Sequence, residues 1–208
     1  MKNLKIIIAI LLFAVLIVGA YVLYNSLSGQ VQLGGLVTQN GSTAETKAPD
    51  ATAAPDETVP ETTEAPRKHA PDFTFYDYDG NAYTLADFEG KPVILNFWAS
   101  WCGPCKMEMP DLQAKFDEYG DDVHFIMLNM TDGYQETVES AKKLIDKEGY
   151  TFPVYYDKDT EGAMVMGIGA VPITFFIDSE GYFEAYFQGA MPAEVLQEGI
   201  DLLLGNAE

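Results

Sequence analysis

The 208-residue chain is poor in cysteine and histidine, with two residues of each. A structural zinc site needs four such ligands, and beside Cys102 and Cys105 there are only His69, at the end of a linker-like stretch, and His124, inside an apolar run. Zinc is therefore disfavoured, and we expect no bound metal. A network of structural disulfides is excluded as well, because two cysteines form at most one disulfide.

Basic residues are scarce, with 12 Lys and Arg against 32 Asp and Glu, a formal net charge of −20. Such a surface repels nucleic acid and anionic lipid headgroups. We therefore expect no nucleic-acid partner, and we interpret the acidity mainly as an aid to solubility.

One long apolar run is present, at residues 6–24, after Lys2 and Lys5. At about 1.5 Å per residue it spans roughly 28 Å, close to the thickness of a bilayer's hydrocarbon core. Residues 1–24 are therefore predicted to form a transmembrane anchor, with a cleaved signal peptide as the alternative because Val18-Gly19-Ala20 resembles a cleavage site. The basic end stays in the cytoplasm by the positive-inside rule, which predicts a single-pass protein of the cell membrane with an extracytoplasmic domain.

The chain after the apolar run divides into two parts. Residues 25–68 are dominated by Thr, Ala, Pro, Glu and Gly without apolar periodicity, which predicts a disordered linker. Residues 69–208 are enough for one domain with a core.

Within this domain, predicted strands alternate with helices. A hairpin is predicted around Asp79-Gly80, and another at residues 179–181. Apolar runs predict further strands, and a 3.6-residue period predicts helices. The predicted strands are 93–98, 123–129, 152–156, 173–178 and 182–188, and the helical segments are 85–88, 104–119, 136–147, 161–166 and 192–204. This order is typical of an α/β sandwich with a mixed sheet.

The two cysteines form a Cys-Gly-Pro-Cys motif between a predicted buried strand and a predicted helix. Free N–H groups at the start of a helix stabilise a thiolate there, and a second cysteine three residues on can resolve a mixed disulfide. We therefore predict a redox-active disulfide, with Cys102 as the exposed nucleophile and Cys105 as the more buried resolving thiol. An inert structural role is disfavoured, because so short a loop removes little unfolded-state entropy.

Two stretches resemble the thioredoxin superfamily. One is Val171-Pro172, which precedes an apolar strand, and the other is residues 96–110, Asn-Phe-Trp-Ala-Ser-Trp-Cys-Gly-Pro-Cys-Lys-Met-Glu-Met-Pro. With an N-terminal hairpin extension and an inserted helix at 137–148, the chain is similar to the TlpA/ResA-like family of membrane-tethered thiol-disulfide oxidoreductases. The similarity covers residues 70–204 and implies a thioredoxin-like three-layer sandwich.

The resemblance also implies the roles of individual residues. Pro172 matches the family's cis-proline, which faces the cysteine pair. Glu108 matches a carboxylate that accepts the Cys105 proton, whereas Asn96 stands where typical thioredoxins carry a buried aspartate. The implied catalytic residues are Cys102, Cys105 and Glu108, and the implied substrate-binding residues are Trp101, Gly103, Pro104, Val171 and Pro172.

The expected activity is reduction of disulfides in exported proteins, because Gly103-Pro104 matches the dipeptide of reducing thioredoxins. The resemblance implies cytochrome c maturation or repair of oxidised proteins, and a CcdA/DsbD-like membrane thiol donor. No cofactor beyond the Cys102–Cys105 disulfide is expected. Two alternatives stay open, a disulfide-donating oxidase and a copper-delivery module using both thiols. Peroxiredoxin chemistry ranks last, because Ala99-Ser100-Trp101 precedes Cys102 where a Thr-x-x-Cys pattern is expected.

Overall fold

A mixed sheet and four α-helices form the described part of the chain in the computed structural model. That part comprises the backbone of residues 37–38, then residues 67–158 and 160–206, all in one compact unit. The strands are β1 (Val37–Thr38), β2 (Phe75–Tyr76), β3 (Ala82–Tyr83), β4 (Val93–Trp98), β5 (His124–Asn129), β6 (Val154–Tyr156), β7 (Ile173–Ile177) and β8 (Phe183–Gln188). The helices are α1 (Gly103–Tyr119), α2 (Val138–Glu148), α3 (Glu161–Met166) and α4 (Ala193–Leu204), with one 3₁₀ turn at Leu85–Phe88.

The sheet runs in the order β1-β8-β7-β4-β5-β6-β2-β3. The neighbours of β5, which are β4 and β6, pair with it in parallel, and the remaining pairs are antiparallel. This confirms the predicted α/β architecture with a mixed sheet. The centre of the sheet is β4, the strand that leads into the Cys-x-x-Cys motif.

All six residues of β4 are buried, because apolar layers cover both faces of the sheet. Successive side chains of a strand point to opposite faces, so Ile94 and Trp98 join one core while Leu95 and Phe97 join the other. The first core lies under α1, α2 and α4, and the second lies under the N-terminal hairpin, the 3₁₀ turn and the segment that follows α3. The end of β4 is therefore buried between the layers, and the Cys-x-x-Cys motif begins four residues after it.

The predicted helix at 136–147 begins later than expected, at Val138. Thr137 is its N-cap, since the Thr137 hydroxyl accepts the N–H of Ser140 and the Ser140 hydroxyl accepts the N–H of Thr137. This reciprocal cap ends the preceding loop, so Glu136 lies outside the helix. The helix stops at Gly149, whose φ of 75° is in the left-handed region that glycine adopts without strain.

The predicted membrane anchor at residues 1–24 lies outside the described residues, as does most of the predicted linker. Within the described part, no helix is long and apolar enough to cross a membrane. Four residues of the predicted linker are described, at 37–38 and 67–68. Val37 and Thr38 form β1 and pair with Tyr186 and Ala185 of β8, and the carbonyl of Lys68 accepts the N–H of Phe183. The edge of a sheet offers unpaired backbone groups to any extended segment, with or without apolar periodicity.

Candidate active site

The Cys-x-x-Cys motif occupies the start of α1, directly after β4. Cys102 is the N-cap residue of α1, and its Sγ accepts the backbone N–H of Cys105 at 3.1 Å. Pro104 lies in the first turn, where a helix leaves N–H groups unpaired and proline's missing donor costs nothing. Cys102 and Cys105 form a disulfide with an S–S distance of 2.04 Å. The predicted pairing and its place at a helix N-terminus are both present.

The prediction that Cys102 is exposed was wrong for this oxidised form. Cys102 is 3% exposed and Cys105 is fully buried at 0%. Cys102 is part of the core under α1, and the carbonyl oxygen of Val171, in the segment before β7, lies 3.6 Å from Cys102 Sγ. Cys102 is still the less buried of the two residues, which agrees with the predicted order of access.

The predicted cis-proline is confirmed, since the Val171–Pro172 peptide bond is cis. Pro172 is buried immediately before β7, which pairs with β4 and so brings this segment over the disulfide. Next to the disulfide, Gly103 and Pro104 are exposed, and Trp101 is 51% exposed. The structure therefore gathers the five residues predicted to bind substrate around one disulfide.

Glu108 is buried on α1, one helical turn after Cys105, and is only 2% exposed. Its Oε1 accepts Nδ2 of Asn96 at 2.9 Å, and its Oε2 accepts the backbone N–H of Met191 at 2.8 Å. Burial raises the pKa of Glu108 to about 7, although the two hydrogen bonds oppose the shift. A carboxyl group with this pKa exchanges a proton readily near neutral pH.

Asn96 connects Glu108 to the cis-proline strand, a role that sequence reasoning did not find. Its Nδ2 donates to Glu108 and also to Oγ1 of Thr174, at 2.9 Å in each case. The Oδ1 atom of Asn96 and the indole N–H of Trp98 are buried without a hydrogen-bond partner among the described residues. Both lie on the face of β4 that carries α1, so the surroundings of the disulfide contain polar atoms that can still accept or donate.

A second buried carboxylate, Glu136, was also missed. Its side chain accepts hydrogen bonds from Ser100, which lies two residues before Cys102, and from Asn129. Sequence reasoning placed Glu136 on a helix. The signal that could have corrected this is the Thr137-x-x-Ser140 cap, which places the residue before Thr137 in a loop.

The fold, the disulfide at a helix N-terminus and the facing cis-proline together define a thiol-disulfide oxidoreductase with a thioredoxin-like fold. Comparisons with known proteins agree, because a model of the AhpC/TSA family matches residues 66–185. The chain belongs to this family.

Individual relatives make the relationship more specific. The chain is 39% identical to the thiol-disulfide oxidoreductase ResA of Oceanobacillus iheyensis over 132 residues, which are 62% of this chain and 67% of that protein. Among solved structures, it is similar to StoA from Bacillus subtilis, with a TM-score of 0.55, 29% identity, and coverage of 63% of this chain and 97% of StoA. It is also similar to the exposed lipoprotein thioredoxin of Streptococcus pneumoniae, with a TM-score of 0.56, 29% identity, and coverage of 63% and 98%. The resemblance to the TlpA/ResA-like family is thereby confirmed.

Proposed function

We propose that this protein is a membrane-tethered reductase of disulfides in exported proteins, acting through Cys102 and Cys105. The observation that carries the proposal is the contact of Cys102 Sγ with both the N–H of Cys105 and the carbonyl of Val171. The N–H and the helix dipole favour a thiolate at Cys102. The backbone before a cis-proline is placed to pair with an extended substrate segment.

The proposed cycle begins with the reduced dithiol. The Cys102 thiolate attacks a substrate disulfide, forming one S–S bond to the substrate and releasing one substrate thiolate. Cys105 then passes its proton to Glu108 and attacks Cys102 Sγ. That second attack breaks the mixed disulfide, releases the second substrate thiol and closes the Cys102–Cys105 disulfide. Two electrons have passed to the substrate, and a dithiol donor must return them.

The direction of transfer is tested by the equilibrium potential of the cysteine pair. Because Gly103-Pro104 matches the reducing thioredoxins, we expect a value below about −180 mV and near the −270 mV of thioredoxin. The full chain would be equilibrated with glutathione buffers and the dithiol fraction measured by alkylation and mass spectrometry. A potential well above about −180 mV would instead support a disulfide-donating oxidase.

The proposed location follows from the apolar run at residues 6–24, which precedes the domain. Anchored there, the domain acts on the extracytoplasmic side of the cell membrane, where disulfides form and persist. Its electron donor is then a membrane thiol carrier of the CcdA/DsbD-like kind, and its substrates are apocytochrome c or other oxidised exported proteins. In intact cells, a membrane-impermeant maleimide should label reduced Cys102; labelling only after lysis would contradict this location.

A further inference from the structure

Glu136 is a buried carboxylate in the loop between β5 and α2, with 1% of its surface exposed. Its Oε1 accepts the backbone N–H of Ser100 at 3.0 Å and Nδ2 of Asn129 at 2.9 Å. Its Oε2 accepts the hydroxyl of Ser100 at 2.7 Å. All three partners donate, which suits a carboxylate because its oxygens only accept. Burial of a carboxylate costs free energy unless its hydrogen bonds are made. Loss of these three hydrogen bonds would therefore destabilise this arrangement of the loop.

The loop that carries Glu136 is itself fixed. Oδ1 of Asp132 accepts the backbone N–H groups of Tyr134, Gln135 and Glu136 at 2.8, 2.7 and 2.9 Å. Asn129, which donates to Glu136, is held as well, because its Oδ1 accepts the hydroxyl of Thr131 at 2.8 Å. Glu136 therefore joins Ser100 to a rigid support rather than to a free loop.

Ser100 belongs to the short connection between β4 and Cys102. The backbone N–H of Cys102 closes a turn onto the carbonyl of Ala99 at 3.1 Å, so a shift of Ser100 moves Cys102 directly. We propose that Glu136 is a positioning residue for the redox reaction, which holds the Ala99–Cys102 turn so that Cys102 stays at the N-cap of α1. This inference rests on the proposed reaction of Cys102 with disulfides.

The test compares how fast reduced variants of the full chain attack dithiobis(nitrobenzoate), a chromogenic disulfide. In Glu136→Ala all three hydrogen bonds are lost, and we expect the second-order rate constant at pH 7 to fall about 10- to 100-fold through misplacement of Cys102. In Glu136→Gln the amide keeps the shape, accepts with its oxygen and donates to the Ser100 hydroxyl, so the rate should stay within about threefold of wild type. Urea unfolding of each variant gives the folded fraction, so rates are compared per folded molecule.

Asp178→Ala is the matched control for Glu136→Ala. Asp178 Oδ1 also accepts two backbone N–H groups, from Glu180 and Tyr182, but it lies in the β7–β8 turn, at the end of β7 away from Pro172. Its loss should leave the rate constant unchanged. If Glu136→Ala does not fold, Ser100→Ala decides, with an expected fall of about fivefold for one lost hydrogen bond.

Three results would overturn the positioning role. These are a wild-type rate in folded Glu136→Ala, a Glu136→Gln rate as low as that of Glu136→Ala, or, where the alanine variant is unfolded, a wild-type rate in Ser100→Ala. Failure of the proposed function looks different, because wild-type Cys102 would then react no faster than free cysteine. The comparison therefore separates the two proposals.

Discussion

Replacing Cys102 with serine is expected to abolish disulfide reduction by the full-length protein, with a loss of at least about 1,000-fold. A serine hydroxyl stays protonated at pH 7 and cannot form a disulfide. The start of α1 would keep its fold, because a serine oxygen caps a helix as well as a sulfur does. The measurement is reduction of insulin disulfides with dithiothreitol as the electron source.

Cys105→Ser is the matched control, since it removes the other sulfur of the same pair. Its Cys102 should still attack a substrate disulfide, but nothing resolves the product, so a mixed disulfide should accumulate and be visible by mass spectrometry. Trapped partners would also identify the physiological substrates. If Cys102→Ser formed the stable adduct and Cys105→Ser did not, the assigned order of attack would be reversed.

Replacing Glu108 with glutamine should slow resolution by Cys105 about 100-fold, because a positioned proton acceptor contributes at least about this factor. Attack by Cys102 should be nearly unchanged. Rapid quenching of the reaction with acid, followed by mass spectrometry, measures both steps through the rise and decay of the mixed disulfide. Glu118→Gln on the same helix is the control, because Glu118 is exposed and pairs with Lys115. Equal slowing of both steps would contradict a proton-accepting role.

The same Glu108 variant should change how stability depends on pH. The folded pKa of about 7 lies above the ordinary value of 4.5, so the folded state binds more protons between these pH values. Stability from this group is therefore complete below about pH 4.5 and is lost as the pH rises through 7, by about 3 kcal/mol in total. Relative to wild type, Glu108→Gln should gain about this much between pH 4.5 and pH 8.5 in urea unfolding. A constant difference would show that Glu108 does not titrate near neutrality.

Glutamine fits the Glu108 site for a specific reason. The Glu108 oxygens accept from Asn96 and Met191, so an amide N–H₂ placed at either oxygen would face a donor. Oδ1 of Asn96 is unpartnered among the described residues. Rotation of the Asn96 amide by half a turn therefore presents an acceptor to the new N–H₂ group. The variant is expected to fold, which makes its kinetics interpretable.

The sequence predicts those parts of the site that depend on local pattern. A buried strand, a Cys-x-x-Cys and a proline in the next turn are contiguous, and helix-terminus chemistry follows from them alone. The cis-proline and the role of Glu108 came from family resemblance, and the three-residue spacing of Cys105 and Glu108 on a helix agrees with that role. All of these features can be predicted from the sequence without knowledge of any tertiary contact.

The features that were missed depend on contacts between distant segments. Glu108 bonds to Met191, 83 residues away, and Ser100 to Glu136, 36 residues away, and no local pattern encodes either contact. The contact of Cys102 Sγ with the carbonyl of Val171 likewise joins segments that are 69 residues apart. Helical spacing gives the direction of a side chain, but burial and pKa depend on what packs over it.

Among the described residues, the two outer strands of the sheet, β1 and β3, comprise two residues each. Long open edges invite intermolecular β-pairing, which leads to aggregation. Short edge strands offer few unpaired backbone N–H and C=O groups with which another polypeptide could form hydrogen bonds. In the proposed reaction a substrate is therefore held by its sulfur–sulfur bond to Cys102, which Cys105 can break, and not by extension of the sheet at either of these edges.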